Sequence, residues 1–413
     1  MHLLTSTDDT GHGARNQADI VELLVDARVG ILGLVEEARP EAGAPNFFHF
    51  RGRAANTAAF TRQTNFARSA GASVRREVAA SKAIGEAIER YCAAIFDVEE
   101  LPLVAYREAP FPCIAPHEFA LYSREQYDSP DFPWSPFDKD TRIRWTAATD
   151  LATGVPCYVP ASRVYMPYLY YIDTGDVPID QPISTGLACQ MSSAEAIRAA
   201  ISEVVERDAF LITWQAMLAP PRIRLETLSV ANRDLVGRFE CTCSSVVIFD
   251  ITLDHGIPTI LSVLLGNSLG AAAMVVAAST ALDPEHAVRC SLEELALTRL
   301  SSQYLKSHAR RIEPDLDRTD RLKAAKNFQY SRLVLSVANG FNRVASLGLD
   351  LIGDSLQVFR RTPGHGDGKP LARKTPGYCC AGAAAGADTN DPDNVARICA
   401  SSMSSGHLIS LLY

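Results

Sequence analysis

The chain has 413 residues, of which 47% are hydrophobic and 21% are charged, and its net charge is −8. This length exceeds the roughly 100–150 residues of a typical domain, so one large domain or two fused domains are expected. The acidic net charge argues against a nucleic-acid-binding protein, because no domain-wide basic excess is available to displace counterions from phosphates.

The N-terminal segment indicates an intracellular protein, and this location bears on the cysteines. Residues 1–20 lack a basic segment followed by an apolar run, so no signal peptide is predicted and a cytoplasmic location is expected. The ten cysteines are therefore expected to be reduced. Cys241 lies close to Cys243 and Cys379 next to Cys380, but neither pair has a second pair or a histidine at zinc-site spacing. A structural zinc site is not expected.

The first half of the chain predicts two helices and a hairpin. Apolar residues recur at helical spacing in residues 17–38, which indicates an amphipathic helix. Ser73 is the predicted N-cap of the next helix, which carries SKAIGEAIERY (81–91). After a connection rich in proline and aromatic residues (100–140), WTAATDLATGVPCYVP predicts a β-hairpin over residues 145–160.

The following region alternates between helices and strands. A helix is predicted after Ser192, where Ser192 and Glu195 have the spacing of a capping box. Three strands follow, and the apolar region 259–278 is split by GNSLG into two runs of strand length, which favours buried strands over a membrane span. A third helix is predicted with Asp283 as N-cap and Pro284 in its first turn. This order predicts an α/β fold in which helices cover the sheets.

Two of the predicted helices carry the same charged pattern. GEAIER and SEVVER each place two glutamates and an arginine at positions i, i+3 and i+4, which share one helix face. The residues are Glu86, Glu89 and Arg90 in the first helix and Glu203, Glu206 and Arg207 in the second. The third helix places Arg289 and Glu293 one turn apart. Each group taken alone is typical of a solvated helix face with surface ion pairs.

The repetition of the pattern favours a binding site. If the two faces meet in a cleft, four carboxylates require counter-cations, because unpaired buried charge is costly. Mg²⁺ takes oxygen ligands and commonly bridges carboxylates to nucleotide phosphates. Arginines bind phosphate oxygens through charge-assisted hydrogen bonds. The pattern therefore predicts a nucleotide site without a glycine-rich loop.

Four segments together resemble the motifs of the YcaO superfamily. They are SKAIGEAIERY (81–91), W-x4-D-L-x-T-G-x4-V-P-A (145–161), STGLACQMSSAEAIRAAISEVVERDAF (184–210) and RCSLEEL (289–295). The resemblance covers about residues 64–300 and keeps the order of the three ATP-binding motifs. It implies an α/β (α+β) fold of mixed or antiparallel sheets packed with helices, with pseudo-repeated helix motifs.

The resemblance also implies a domain organisation and a set of site residues. Together with the change in composition near residue 361, it divides the chain into a helical or extended N-terminal segment (1–63), an ATP-binding catalytic domain (64–360) and a Gly-, Ala- and Pro-rich C-terminal tail (361–413). The implied cofactors are ATP and Mg²⁺. The implied metal ligands are Glu86, Glu89, Glu203 and Glu206, which also belong to the ATP site with Lys82, Arg90, Glu195, Arg207 and Arg289, and the implied catalytic residues are Arg207, Arg289 and Glu293. Lys82 stands where the family usually has serine, and it is expected to supply a cation from within the helix.

The activity implied by the resemblance is phosphorylation of a peptide-backbone amide oxygen by ATP. Attack by a Cys, Ser or Thr side chain then closes an azoline, the precursor of a thiazole or oxazole, in a ribosomally made peptide. The expected partners are a precursor peptide and a leader-binding protein, and a homodimer is left open.

Two alternatives to azoline formation remain. Sulfide or an amine as nucleophile would form a thioamide or an amidine, and a catalytically silent relative would act as an accessory or scaffold subunit. The chain ends in GHLISLLY, whereas azoline-forming members often end in a Pro-rich tail. This departure keeps both alternatives open.

Overall fold

The fold consists of antiparallel sheets with helices packed on them. A computed structural model of the protein describes residues 23–40, 43–130, 132–216, 218–266 and 274–308. Within these ranges the chain forms ten β-strands, arranged in three antiparallel sheets, and five α-helices. The predicted α/β fold, with helices covering sheets, is confirmed.

The first sheet carries the first motif helix. Its strands run in the order β1 (Leu32–Ala38), β2 (Phe48–Ala54) and β3 (Arg68–Ser73). Helix α1 (Arg76–Ala93) packs across these strands through small and apolar side chains. The buried ones are Ala79, Ala83, Ile84 and Ala87. Because three of these four residues are alanines, the helix axis can approach the sheet closely.

The third sheet contains the predicted hairpin. Its strands run in the order β4 (Leu103–Ala105), β5 (Arg142–Thr149) and β6 (Pro156–Pro160), and β5 pairs with β6 as predicted. The short helix α2 (Arg124–Tyr127) lies in the aromatic-rich connection. Trp145 is fully buried at the centre of a cluster to which this connection contributes several aromatic side chains. The connection is therefore an ordered part of the core around the hairpin.

The second sheet is sandwiched between helices. Its strands are, in spatial order, β10 (Met274–Thr280), β9 (Thr259–Gly266), β8 (Ser244–Asp250) and β7 (Arg222–Ile223). Ile260 and Leu264 of β9 belong to one core cluster. Leu261 and Val263 belong to another, on the opposite face. The predicted buried strands in the region 259–278 are thus β9 and β10, and both faces of β9 are covered.

Helices α4 (Val230–Glu240) and α5 (Pro284–His308) cover the face with Ile260, and α3 (Ser193–Gln215) covers the other face. Helices α3 and α5 carry the second and third motifs, and they begin where the sequence predicts. Among the described residues, no helix combines the length and the apolar character needed to cross a membrane.

The predicted N-terminal helix is wrong over its second half. Residues 17–22 lie outside the described residues, and Leu32–Ala38 forms strand β1. The Asp26 carboxylate accepts hydrogen bonds from the backbone N–H groups of Arg28 (2.8 Å) and Val29 (3.0 Å), which turns the chain before the strand. Pairing with β2 then outweighs the helical spacing of the apolar residues.

The predicted N-cap of the first motif helix is wrong by two residues. Ser73 ends strand β3 and the N-cap is Arg75, which has no side-chain capping bond. The Ser73 hydroxyl accepts from the Arg75 backbone N–H (3.2 Å) and donates to Glu293. A tertiary contact therefore draws the serine hydroxyl away from the capping position.

The domain boundaries stay predictions. The first boundary, after residue 63, falls between β2 and β3, which pair in one sheet. The predicted tail, 361–413, lies outside the described residues, as do positions 309–360 of the predicted catalytic domain.

Gly71 of β3 permits the close contact between this strand and α1. A Cβ atom at Gly71 would lie 2.3 Å from the Ala79 carbonyl oxygen and 2.7 Å from the Ala83 nitrogen, and these backbone atoms cannot move without shifting the helix. We expect Gly71→Ala to lower the free energy of unfolding by about 1–3 kcal/mol. In the matched control Gly237→Ala, on α4, the new methyl meets open space. That variant should gain roughly 0.5–1 kcal/mol from helix propensity.

Urea unfolding of both variants measures this difference. A Gly71→Ala protein as stable as the wild type would show that α1 does not depend on this close approach.

Candidate nucleotide site

The first motif is anchored to the sheet by its leading glutamate. Glu86 Oε2 accepts a hydrogen bond from the Ala70 backbone N–H of β3 at 2.9 Å. Its other oxygen, Oε1, lies 3.3 Å from Arg90 Nη2, one turn further along α1. Glu89 lies beside the same guanidinium, with 3.8 Å between Glu89 Oε1 and Arg90 Nε. The guanidinium of Arg90 therefore lies beside both carboxylates.

The second motif repeats this arrangement on α3. Glu203 Oε2 accepts from the Gly186 backbone N–H at 3.1 Å, and Oε1 lies 3.4 Å from Arg207 Nη2. Glu206 Oε1 is 3.8 Å from Arg207 Nε. In both motifs the first glutamate is held by a backbone N–H group from another segment, and both glutamates share one arginine. The two motifs therefore share the same pattern of contacts as well as the same sequence pattern.

The structure brings the segments of the two motifs close to each other. A Cβ atom at Gly85 of α1 would lie 3.7 Å from the Cys189 carbonyl oxygen, so the segment leading into α3 lies against α1. The negative charge of Glu203 raises the pKa of Glu89. The two helices therefore place their carboxylates within electrostatic range of each other.

The two motifs together hold four carboxylates beside two arginines, and burial makes the ionised carboxylates less favourable. Burial raises the pKa of Glu89 to about 8, although the Arg90 charge opposes the rise. Burial likewise raises the pKa of Glu206 to about 8 against the charge of Arg207. The pKa of Glu203 is also raised, chiefly by burial. Such a group of carboxylates gains from an additional cation, because a cation favours the ionised forms.

Magnesium fits the donor chemistry of this group. Mg²⁺ prefers oxygen ligands and usually binds one or two carboxylates together with water and phosphate oxygens. In the part of the chain that the structure describes, no three His, Cys, Asp or Glu side chains are already gathered around one point as a metal site. Residues Glu86, Glu89, Glu203 and Glu206 would supply the carboxylate ligands, and phosphate oxygens the others.

Glu293 of the third motif is tied into an ion pair. Its Oε2 lies 2.6 Å from Lys82 Nζ, and its Oε1 accepts from the Ser73 hydroxyl at 2.6 Å. Its side chain is only 6% exposed. The structure thus joins two residues predicted for the site, Lys82 and Glu293, to each other. The predicted catalytic role of Glu293 stays a prediction.

Arg289 is solvent-exposed at the start of the third motif. Its Nη2 lies 2.6 Å from His286 Nδ1, and His286 Nε2 lies 3.3 Å from Cys290 Sγ. Because arginine only donates, Nδ1 accepts and the proton of the neutral ring lies on Nε2. Burial and the Arg289 charge lower the pKa of His286, which favours this neutral form. His286 thus orients the guanidinium of Arg289.

Glu195 has a local role at the start of α3. The Ser192 hydroxyl accepts from the Glu195 backbone N–H at 3.3 Å and contacts Glu195 Oε2 at 3.1 Å. Ser192 is the N-cap, as predicted, but the carboxylate bonds the serine side chain instead of its backbone N–H. A contact of Glu195 with nucleotide stays a prediction.

The sequence reasoning did not consider Glu294, which follows Glu293 in the third motif. Its side chain is solvent-exposed, yet its pKa is raised, first by the surrounding protein and then by the charges of Glu86 and Glu203. The L-E-E-L sequence offered a signal, because two adjacent glutamates on one helix cannot face the same surroundings.

The raised pKa values predict how the stability of the ligand-free protein depends on pH. Glu89 and Glu206 have an ordinary pKa of 4.5 and a folded-state pKa of about 8. The folded state therefore binds more protons between these values. The stability from these two groups is fully present below about pH 4.5 and is lost as the pH rises through about 8.

Urea unfolding at about pH 5.5 and about pH 8.5 tests this dependence. The Glu89→Gln/Glu206→Gln protein should lose less stability over this range than the wild type. The same loss in both proteins would contradict the raised pKa values.

The chain matches a known protein family. A family model described as YcaO cyclodehydratase, ATP- and Mg²⁺-binding, matches residues 70–355. No curated protein matches the sequence significantly. The matched region contains all three motif helices.

Several solved structures are similar to this chain. A heterocyclase in complex with substrate and cofactor is 20% identical, with a TM-score of 0.60, and the match covers 72% of this chain and 41% of the heterocyclase. YcaO from Methanopyrus kandleri, bound with AMPPCP and Mg²⁺, is 22% identical, with a TM-score of 0.50, 70% of this chain and 67% of that chain being covered. The E. coli microcin synthetase McbBCD complex with pro-MccB17 bound is 15% identical, with a TM-score of 0.49, and 73% of each chain is covered.

The chain therefore spans less than half the length of the heterocyclase that it matches. The family model, in contrast, covers well over half of this chain and includes the segments that suggested the resemblance. The chain belongs to the YcaO cyclodehydratase family, whose model describes ATP and Mg²⁺ as its ligands, and its cofactors are accordingly ATP and Mg²⁺.

Proposed function

We propose that this protein uses ATP to phosphorylate a backbone amide oxygen of a ribosomally made precursor peptide, so that a Cys, Ser or Thr side chain closes an azoline ring. The observation that carries the proposal is the pair of matching Glu-Glu-Arg groups on α1 and α3, which hold four carboxylates beside two arginines and lie within electrostatic range of each other. Membership of the YcaO cyclodehydratase family supports the reaction class.

The residues of the site suit phosphoryl transfer. This chemistry depends on positioning and on neutralising the phosphate charge more than on a protein nucleophile. Arg90 and Arg207 each have a guanidinium held by two glutamates, and this fixes their orientation before a phosphate arrives. Mg²⁺, when bound, supplies the charge that links carboxylates to phosphate oxygens.

The proposed reaction balances in two steps. The amide oxygen attacks the γ-phosphorus, the bond between this phosphorus and the β,γ-bridging oxygen breaks, and ADP leaves. The side-chain sulfur or oxygen then adds to the activated carbon, and the former amide oxygen leaves with the phosphate. The peptide loses the elements of one water molecule, and no oxidant or reductant is needed.

The proposed partners are a precursor peptide and a separate protein that delivers it. The heterocyclase of similar fold was solved with its substrate, and the McbBCD structure is a complex with pro-MccB17. Formation of a homodimer and a cytoplasmic location are proposed as well.

Phosphate release with and without the precursor peptide and its delivering protein tests the function. We expect peptide-dependent release, transfer of oxygen-18 from a labelled amide into phosphate, and a peptide lighter by one water molecule. Replacement of oxygen by sulfur, or incorporation of an amine, would assign thioamide or amidine formation. Nucleotide binding without any peptide-dependent phosphate release would identify an accessory subunit. Unlabelled phosphate from a peptide that is being modified would rule out phosphorylation of the backbone oxygen.

A further inference from the structure

The first sheet carries three arginines on the face that points away from α1. Gly52 and Gly71 lie on the face toward α1, because a Cβ atom at either glycine would meet that helix. Alternate residues of a strand point to opposite faces, and directly opposite residues of paired strands share a face. Arg51 and Arg53 of β2 and Arg68 of β3 therefore lie on the outer face, and all three are exposed. These three residues form the arginine cluster.

The outer face is buried at one end and open at the other. Ala38, His49 and Ala72 lie opposite one another on the three strands, and all three are buried. The arginine cluster lies on the next rows along the strands. In the part of the chain that the structure describes, these arginines are open to solvent.

The arginine cluster has an excess of positive charge. Glu36 of β1 lies opposite Arg51 and is the acidic residue on these rows. Among the described residues, neither Glu36 nor the three arginines form an ion pair or a side-chain hydrogen bond. The whole chain has a net charge of −8, so the cluster is a local reversal of its overall charge.

The arrangement is unfavourable without a bound anion. Arg53 and Arg68 are directly opposite in the register of β2 and β3. Like charges at such positions are destabilising. The Arg53 guanidinium extends over β1, where its Nη2 would lie 3.9 Å from a Cβ atom at Gly33. The cluster thus spans all three strands, and an anion bound across them would relieve the repulsion.

The spacing of the cluster suits an extended acidic peptide. Arg51 and Arg53 are alternate residues of β2, so their Cα atoms are about 7 Å apart, and alternate residues of an extended peptide have the same spacing. A guanidinium binds a carboxylate through two parallel charge-assisted hydrogen bonds. A peptide with acidic residues at alternate positions can therefore pair with both arginines at once.

Three arginines are few for other polyanions. Surfaces that bind anionic membranes carry clusters of about 4–8 basic residues. Proteins that bind DNA commonly neutralise about 6–10 phosphates. Glu36 would repel either ligand, whereas a peptide can place an uncharged residue beside it. The cluster therefore favours a short acidic segment of polypeptide.

The cluster lies on the same strand as an anchor of the candidate nucleotide site. Strand β3 is at the edge of its sheet, and its Ala70 backbone N–H holds Glu86 of the first motif. Arg68 precedes Ala70 by two residues, which is about 7 Å along the strand. A peptide bound to the cluster has only this sheet edge to cross before it reaches the site.

We infer that the arginine cluster binds an acidic segment of the precursor peptide, in which acidic residues stand at alternate positions outside the residues that are modified. The identity of the peptide rests on the proposed function. The cluster holds the peptide and takes no part in phosphoryl transfer.

Fluorescence anisotropy with synthetic peptides, at low ionic strength and without nucleotide, tests the inference. The labelled peptide alternates glutamate with threonine. One control peptide has glutamine in place of glutamate, and the other has the same glutamates in one consecutive run. The wild type should bind the alternating peptide about tenfold more tightly than the glutamine peptide and about threefold more tightly than the consecutive one. Equal affinity for all three peptides would overturn the inference.

A charge-matched pair of variants separates the cluster from the overall charge. Arg51→Gln/Arg53→Gln should weaken binding of the alternating peptide by about tenfold or more. Arg107→Gln/Arg224→Gln changes the net charge equally at arginines that have acidic partners, and it should stay within about twofold of the wild type. Equal losses in both variants would overturn the inference. So would a wild type that binds no peptide, whether another part of the chain or a second copy covers the face.

Arg68→Glu distinguishes binding from a structural role. It replaces repulsion of Arg53 by attraction, so the thermal unfolding midpoint should rise by about 1–2 °C while peptide binding weakens by about tenfold or more. A purely structural role of Arg68 predicts a lower midpoint instead. A lower midpoint, or unchanged peptide binding, would overturn the inference.

The failure of this inference and that of the proposed function can be told apart. Cluster-dependent peptide binding without any peptide-dependent phosphate release would contradict the proposed function and leave the cluster as a binding surface for acidic peptides. Phosphate release whose KM for the precursor peptide is unchanged in Arg51→Gln/Arg53→Gln would overturn the role of the cluster and leave the proposed function intact.

Discussion

The Glu89→Gln/Glu206→Gln protein is expected to lose Mg²⁺-dependent nucleotide binding by about 100-fold or more, because the change removes one ionisable ligand from each half of the site. Both carboxyl groups have a pKa of about 8, so at neutral pH they are largely protonated in the ligand-free protein. Glutamine resembles the protonated form in shape and charge. The double variant should therefore fold normally, and its loss of binding should reflect the missing negative charge.

Calorimetry with AMPPCP, with and without Mg²⁺, measures this loss. Glu99→Gln/Glu226→Gln is the matched control, since these glutamates form exposed ion pairs with Arg62 and Arg224. It should bind nucleotide as the wild type does. Equal affinity of the two double variants would rule out a nucleotide site between α1 and α3.

Binding by the wild type should also tighten as the pH rises toward and through about 8. Mg²⁺ binds ionised carboxylates, and Glu89 and Glu206 lose their protons in that range. Binding at neutral pH is therefore expected to release protons. Titrations in buffers of different ionisation enthalpy would detect this release, and the Glu89→Gln/Glu206→Gln protein serves as the control without it.

The second large effect is expected for Arg207→Lys, which should lower kcat about 10–100-fold and raise the KM for ATP much less. Burial lowers the pKa of Arg207, but the charges of Glu206, Glu203 and Glu294 together raise it above its ordinary value. These carboxylates hold the guanidinium in place. Lysine keeps the charge but loses the planar fork that meets two phosphate oxygens at once.

Steady-state kinetics with peptide and ATP measure the change in kcat and the change in the KM for ATP separately. Arg198→Lys lies on the exposed part of α3 and should leave both constants unchanged. We expect Arg289→Lys to act in the same direction as Arg207→Lys, because the lysine ammonium cannot keep both the His286 contact and a bidentate phosphate contact. A rise in KM with an unchanged kcat would show that the arginine contributes equally to substrate and transition-state binding.

The sequence predicts elements well where the governing contacts are local. The β5–β6 hairpin, the Ser192 cap of α3 and the start of α5 at Pro284 each depend on a few neighbouring residues, and all three are confirmed. The helix predicted over residues 17–38 fails where β1 pairs with β2. The apolar spacing of that segment fits a helix, but strand pairing depends on residues far along the chain, which no local pattern reports.

In the candidate site, too, the local features could be predicted from the sequence and the long-range contacts could not. The spacing of Glu86, Glu89 and Arg90 is enough to place them on one helix face, since the helix period is a local property. That Arg90 lies beside both glutamates follows from this spacing and is confirmed. The backbone N–H groups that hold the leading glutamates come from other segments of the chain, Ala70 and Gly186, and the motif alone did not reveal them.

The sequence by itself determined the family, the three charged helix faces and the chemistry that their residue types favour, because these depend on residue identity and helical spacing. Only the tertiary structure decided that Lys82 pairs with Glu293, a residue 211 positions away. It also decided the raised pKa values of Glu89 and Glu206. Burial and the charges of distant residues set these properties, and both arise only when the helices pack together.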